Sequence, residues 1–194
     1  MSLSQVNIIN MALSKIGDYY ISSLTEGTKQ QIHALIHWEN CRDSLLQSYK
    51  WNFATERVRL ARLAETPIGY DYVYQLPNDH LKTDRMSTDG DFGGDDSIDY
   101  KIHGKKLLTD ETTCYIEYRK QVTDPSYYTP LFSKVLAVDL ALALAEPLGM
   151  IPANDKQLLL AERVEYVNEA RGVDFEEGQN EAGQYYSMTA CRDN

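Results

Sequence analysis

Three side chains able to ligate a metal recur at every fourth position, His33, His37 and Cys41. On a helix they form one ridge, and neutral donors of this kind can hold zinc. The spacing defeats it: positions i, i+4 and i+8 spread over about 12 Å of helix axis, too far for all three to reach one ion. The metalloprotease pattern also wants Glu directly after the first His, and Ala34 stands there. The ridge therefore reads as a solvated or interfacial helix edge.

A second cluster, Asp89-Gly90-Asp91-Phe92-Gly93-Gly94-Asp95-Asp96, has the composition of a calcium loop. An EF-hand loop starting at Asp89 needs a bidentate Glu where Tyr100 stands, and its flanks read as strand. A mobile, solvated loop is expected instead. The carboxylate pairs Asp95–Asp96 and Glu176–Glu177 fall in a loop and in a polar tail, places too wet to separate two carboxyl pKa values. No nucleophile elbow, P-loop or dinucleotide fingerprint occurs. Asp139 interrupts an apolar helix, and a buried charge there needs a partner; Arg42 or a backbone amide is expected to supply it. Neither a catalytic constellation nor a metal or cofactor site is expected.

The elements that carry these residues follow from periodicity and charge. Of 194 residues, 43% are hydrophobic and 25% charged, ordinary for a globular chain, and the net charge is −10. So acidic a surface does not wrap DNA by neutralising phosphates, nor dock on anionic membranes. Cys41, Cys114 and Cys191 stand far apart, which points to free thiols in a reducing compartment. No basic segment leading into an apolar run marks an export signal, and the longest apolar run, Val135–Ala145, is broken by Asp139 and too short to span a membrane. Residues 1–55 sum to zero charge, 56–121 to −3 and 122–194 to −7.

The first block is helical. Val6, Ile9, Leu13 and Ile16 recur at helical spacing between Ser4 as N-cap and Gly17 as stop. A second helix runs from about Thr28 to Tyr49 with Leu35, Trp38, Leu45, Leu46 and Tyr49 on one face, and Arg42 inside that face. The second block has period two: Arg57–Leu60, the Tyr70/Tyr72/Tyr74 strand, Leu81–Met86, a hairpin around Gly104-Lys105, and Cys114/Ile116/Tyr118. The third returns to helix. Leu131–Glu146 is apolar nearly all round, which places it mid-bundle, and Pro147 with Gly149 ends it. A fourth helix runs from Asn154 or Asp155 to about Arg171, with Leu158, Leu159, Ala161 and Val164 as its core side. From Gly172 onward the chain is polar and acidic and reads as a flexible arm.

Runs of strands separated from runs of helices give an α+β fold. The expected domains are a helical bundle from 1–55 and 122–171, a β-rich insertion at 56–121 between helices 2 and 3, and an arm at 172–194. Fourteen tyrosines against four phenylalanines and two tryptophans suit half-buried or partner-facing positions.

The run Cys41-Arg42-Asp43, Leu45-Leu46, Trp51-Asn52-Phe53-Ala54, then Arg57 and Leu60-Ala61, resembles the helix-to-strand junction of the tail tubular protein A family, the head-to-tail adaptors of short-tailed bacteriophages. Lys50 stands where the family often has Pro. Val122-Thr123-Asp124-Pro125 and Pro130-Leu131-Phe132, leading into the Ala-rich helix, resemble the family's entry into its third helix. Ala12-Leu13, Ile16-Gly17, Ile21-Ser22-Ser23-Leu24 and Tyr74-Gln75-Leu76-Pro77-Asn78-Asp79 fit as well. The matches cover most of residues 5–171 in order; the segment after Gly172 is unmatched.

The resemblance implies a structural, non-enzymatic protein of the phage or prophage virion neck, made in the host bacterial cytoplasm. It would form a ring, usually of twelve copies, between the portal protein and the tail nozzle protein, with DNA passing through its lumen and no membrane partner. On that reading Asp89, Asp91, Phe92, Asp95, Asp96, Tyr127, Tyr128, Phe175, Tyr185 and Tyr186 are the interface candidates. Arg42, Asp43, Trp51, Phe53 and Asp139 are structural, the first four locking the helix-to-strand junction. The competing expectation is a tail-associated glycan hydrolase using carboxylates of the β-insertion, which would need two facing carboxylates in a dry cleft about 5–9.5 Å apart.

Overall fold

Helix α1, Gln5–Ile16, begins where the Ser4 hydroxyl accepts from the Asn7 amide (3.2 Å) and stops where Gly17 turns left-handed at φ 73°. It buries Ile8, Ile9, Ala12, Leu13 and Ile16. Asn10 then clamps the following loop, donating to the Ile21 carbonyl and accepting from the Ile21 amide, each at 2.9 Å. Helix α2 is Lys29–Ser48. Helix α3, Pro130–Leu148, starts with Pro at a position where no amide is needed and with Thr129 accepting from the Phe132 amide (3.2 Å). Gly149 closes it at φ 69°, so Pro147 sits within its last turn. Helix α4 is Ala153–Thr189. These bounds come from a computed structural model describing residues 3–65, 67–93, 98–149 and 153–189, the last segment with side chains for 155–177.

The fold is α+β, with four helices and two antiparallel sheets among the described residues. The chain divides into two compact units, 1–45 with 123–194, and 46–122. The first boundary falls after residue 45 and not at the expected 55, so the last turn of α2 and the Trp51 segment belong to the β unit. In the helical unit α3 is the hub, packed on α1 and on α4. Its apolar circumference explains this: Phe132, Val135, Leu136, Val138, Leu140 and Leu144 are all fully buried. Among the described residues no helix is long and apolar enough to cross a membrane.

In the β unit a 3-10 turn at Asn52–Ala54 leads into β1 (Thr55–Arg59) and β2 (Ala61–Arg62). Strands β3 (Tyr72–Gln75), β4 (His80–Ser87), β5 (Tyr100–His103), β6 (Lys106–Thr109) and β7 (Tyr115–Lys120) follow. One sheet has the order β1-β7-β4 and the other β2-β3-β6-β5, all antiparallel. Both feed one core of Leu60, Tyr74, Leu76, Met86, Leu107, Cys114, Ile116 and Tyr118.

Helix α4 departs from expectation in two ways. Gly172 does not end it, and the segment read as a flexible arm is helical through Thr189; residues 190–194 lie outside the described ones. A glycine inside a helix costs only about 1 kcal/mol, which the rest of the helix can outweigh. Nor is the expected core side the buried one. Leu159 is buried, but Leu158 (73%) and Val164 (58%) are exposed, as is Ala161. The inward row is instead partly charged: Glu162 pairs with Lys15 (2.5 Å) and Arg163 with Asp139. The Lys15 and Lys134 ammonium groups each lie over the Tyr166 ring, 5.5 and 5.4 Å from its centroid. Long polar side chains made that face invisible to apolar periodicity.

Candidate functional site

The metal ridge is half-buried: His33, His37 and Cys41 line one edge of α2. Burial, and then the Asp139 charge, push the Cys41 thiol up to about 11, so it is held as the neutral thiol. Among the described residues no group of three or more His, Cys, Asp and Glu side chains could hold a metal ion.

The acidic loop is more ordered than expected as far as Gly93. The Ser87 hydroxyl donates to Asp89 Oδ1 (2.7 Å) and accepts from the Gly90 amide (3.0 Å). Asp89 Oδ1 also accepts from the Asp91 amide, and Asp91 Oδ1 from the Gly93 amide, both at 2.9 Å. These turn-forming bonds occupy the carboxylates internally. The Asp91 amide and then the Ser87 hydroxyl hold the Asp89 carboxyl below its usual range. Gly90 has φ 91°, and a Cβ there would stand 3.7 Å from the Tyr115 ring. Phe92 is not an exposed contact: it is only 8% exposed, its carbonyl accepts from Arg85 Nη1 (2.6 Å), and the Arg57 guanidinium lies 5.2 Å from its ring centroid. Asp95 and Asp96 lie outside the described residues.

The Pro-Ser-Tyr-Tyr segment divides. Tyr127 is 68% exposed, whereas Tyr128 is buried against Phe132 with centroids 4.9 Å apart. Burial pushes the Tyr128 phenol up to about 12, against the pull of Arg42. Tyr128 is thus a core residue rather than an accessible interface residue. Phe175 is 60% exposed on α4. Tyr185 and Tyr186 lie on the same helix, their side chains outside the described residues.

Asp139 does not pair with Arg42. Its partner is Arg163, and Arg42, only 4% exposed, donates through Nε to its neighbour Asp43 at 2.7 Å. Arg42 and Asp43 therefore pair within α2. Trp51, 1% exposed, makes an edge contact with Tyr49 at 5.1 Å, tilts against Phe53 at 6.4 Å, and accepts from the Thr55 hydroxyl through its carbonyl (2.8 Å).

The carboxylates of the β strands are tied to cations. Glu117, 1% exposed, accepts from Lys50 and from Arg57 (2.8 Å). Burial raises its carboxyl, but the two hydrogen bonds and the two positive charges outweigh that and hold it below its ordinary value. Arg119 grips Asp84 through two nitrogens at 2.7 and 3.0 Å and reaches the Gln47 carbonyl at 2.5 Å. Glu65 and Lys106 pair beside an open groove of about 380 Å³ that also contains Ile68 and His103.

Sequence reasoning missed where the exposed apolar surface lies. Among the described residues, all exposed large apolar side chains except Ile68 and Ile102 belong to the helical unit. Tyr19 and Tyr20 are 82% and 68% exposed on a loop that Asn10 clamps and whose Asp18 accepts from Gln30 (3.0 Å). Ile32 and Ile36 stand out on α2, and Leu158, Leu160 and Val164 on α4. The available signal was the pattern of apolar residues outside a single helical stripe. No protein-family model matches the chain, and no curated protein matches it either.

Proposed function

We propose that this protein is a structural head-to-tail adaptor of a short-tailed phage or prophage. It forms a ring between the portal protein and the tail nozzle protein and lets DNA pass through the lumen without specific binding. The ordered set of residues resembling the tail tubular protein A family motivates the reading. The observation that carries it is the concentration of exposed apolar side chains on the helical unit, alongside two buried cores. Apolar surface left outside a finished core marks contact with other macromolecules.

The net charge of −10 fits the same role. A negative lumen repels phosphates, so a duplex slides without sticking. Different patches on one subunit close into a ring when the rotation between copies permits. The hydrolase alternative gains no support from Glu117 and Asp84, whose partners are Lys50 and Arg57, and Arg119, in structural ion pairs.

The test is size-exclusion chromatography with mass determination on the chain mixed with the portal protein encoded alongside it. A complex with a fixed number of chains per portal is expected. Separate elution at all mixing ratios overturns the proposal.

A further inference from the structure

The run Thr55–Arg62 is an edge of both sheets: β1 lies outermost in one and β2 in the other. It carries three exposed arginines, Arg57, Arg59 and Arg62, in a chain of net charge −10. Each guanidinium lies over an aromatic ring. Arg57 is 5.2 Å from the Phe92 centroid. Arg59 is 5.8 Å from that of Tyr115, its partner across β1 and β7, and Arg62 is 4.0 Å from that of Tyr72. Stacking uses the flat face of a guanidinium and leaves its in-plane N–H donors for a ligand. The rings also fix where those donors sit, so little ordering is left to be done on binding.

Arg57 shares Glu117 with Lys50. Among the described residues no carboxylate pairs with Arg59 or Arg62: Glu56 is held by Lys120, Glu65 by Lys106, and Asp110 accepts from the Asp71 amide. Yet the two arginines are neighbours. Three residues of extended chain separate them, at most about 10 Å. Both act on one buried phenol, that of Tyr74, which stands opposite Arg62 across β2 and β3 and donates to the Glu111 carbonyl at 2.8 Å. Burial raises this phenol, and the Arg62 and Arg59 charges pull against it. Two like charges this close repel unless a counter-charge joins them. The chain has 29 acidic residues, so scarcity does not explain the missing partner.

We infer that Arg59 and Arg62 form a binding site for a phosphate group. One guanidinium fork satisfies the two oxygens of a carboxylate, whereas two neighbouring forks suit a phosphate, with its further acceptor oxygens and greater charge. Free polyphosphates and the backbone of a nucleic-acid strand share this chemistry. Arg57, two residues along the same face of β1, extends the site for a ligand with more than one phosphate. The inference does not rest on the adaptor reading. It also leaves passage of DNA without specific binding intact, because a phosphate contact carries no sequence information.

The test titrates the full chain, by calorimetry at low salt, with three probes: inorganic pyrophosphate, a short single-stranded DNA without terminal phosphates, and a polyglutamate peptide. At least one phosphate probe should bind, and more tightly than polyglutamate. Arg59→Gln and Arg62→Gln should each weaken that binding by about tenfold or more. Lys101→Gln, an exposed change on β5 at the far edge of the second sheet, should leave it unchanged. The salt dependence of binding should fall with each arginine removed, which loss of packing on Tyr72 or Tyr115 would not produce. Thermal melts like that of the wild type show that a variant is folded, and either arginine variant alone suffices for the comparison. Binding of pyrophosphate alone assigns the site to small phosphorylated molecules, and binding of the DNA strand assigns it to nucleic acid. The inference is overturned if neither phosphate probe binds, if polyglutamate binds more tightly than both, or if the folded arginine variants bind as the wild type does.

Discussion

Arg163 on α4 holds Asp139 on α3 with two guanidinium nitrogens, Nε on one carboxylate oxygen and Nη2 on the other at 3.2 Å. Asp139 stands at the middle of the largely apolar central helix, and the fork fixes α4 against it. The Asp139 side chain is 15% exposed and that of Arg163 36%, so the pair lies between a surface bridge and a buried one.

Asp139→Asn keeps the shape and removes the charge. Surface pairs contribute about 0–1 kcal/mol and breaking a buried pair costs about 3–5 kcal/mol, so a loss of about 1–2 kcal/mol is expected. Urea unfolding measures it. A double-mutant cycle with Arg163→Met should return a coupling of about 1 kcal/mol, and the corresponding cycle of Asp139 with Arg42 should return none beyond error.

Glu117 should be the most sensitive carboxylate of the β unit. Glu117→Gln leaves Lys50 and Arg57 facing a neutral amide, and a loss of about 3 kcal/mol is expected. Replacing Lys50 or Arg57, whose side chains are 38% and 61% exposed, should cost less, about 1 kcal/mol each. The folded carboxyl stays ionised to lower pH than the unfolded one. Its stabilisation is therefore complete above the ordinary glutamate range near about 4.3 and is lost as pH falls through the folded value. Unfolding midpoints between neutral pH and pH about 3 should show a steeper fall for the wild type than for Glu117→Gln.

The two described cysteines should be inert. Burial pushes Cys114 up to about 12, and burial with the Asp139 charge pushes Cys41 up to about 11. In a Cys191→Ser background, a thiol titration of the native protein at mildly alkaline pH should give almost no fast reaction, and denaturant should release two thiols. Fast native labelling of either would contradict their placement.

Phe92→Ala should weaken the fold rather than a partner contact. The ring is buried under Arg57, and truncation of a buried phenylalanine costs about 3 kcal/mol. Normal stability with lost portal binding would show that Phe92 faces a partner.

Where the amino acids speak locally, the fold was legible. Ser4 and Gly17 cap α1, Gly149 ends α3, and Gly104 at φ 60° turns the β5–β6 hairpin. Each depends on one residue's own conformational preference. The failures share a different cause. Asp139 pairs with Arg163 and not with the expected Arg42, because ion-pair partners are set by helix packing, which spacing within one helix does not encode. The inward side of α4 was misplaced because Glu162, Arg163 and Tyr166 pack through long polar side chains that periodicity counts as solvent-facing. The sequence neighbours of Phe92 and Tyr128 suggest partner contacts, but Arg57, distant in the chain, lies over the Phe92 ring, and Phe132, near in the chain, packs on Tyr128. The exposed apolar side chains of α4 could have been seen in the spacing of Leu160, Val164 and Phe175, had two apolar stripes on one helix been allowed.

The central claim is most directly tested by electron microscopy of the purified chain mixed with the portal particle from the same genome. Rings of this protein, coaxial with the portal and open along the shared axis, are the predicted result. Portals that remain bare while the chain cleaves a surface glycan would contradict it.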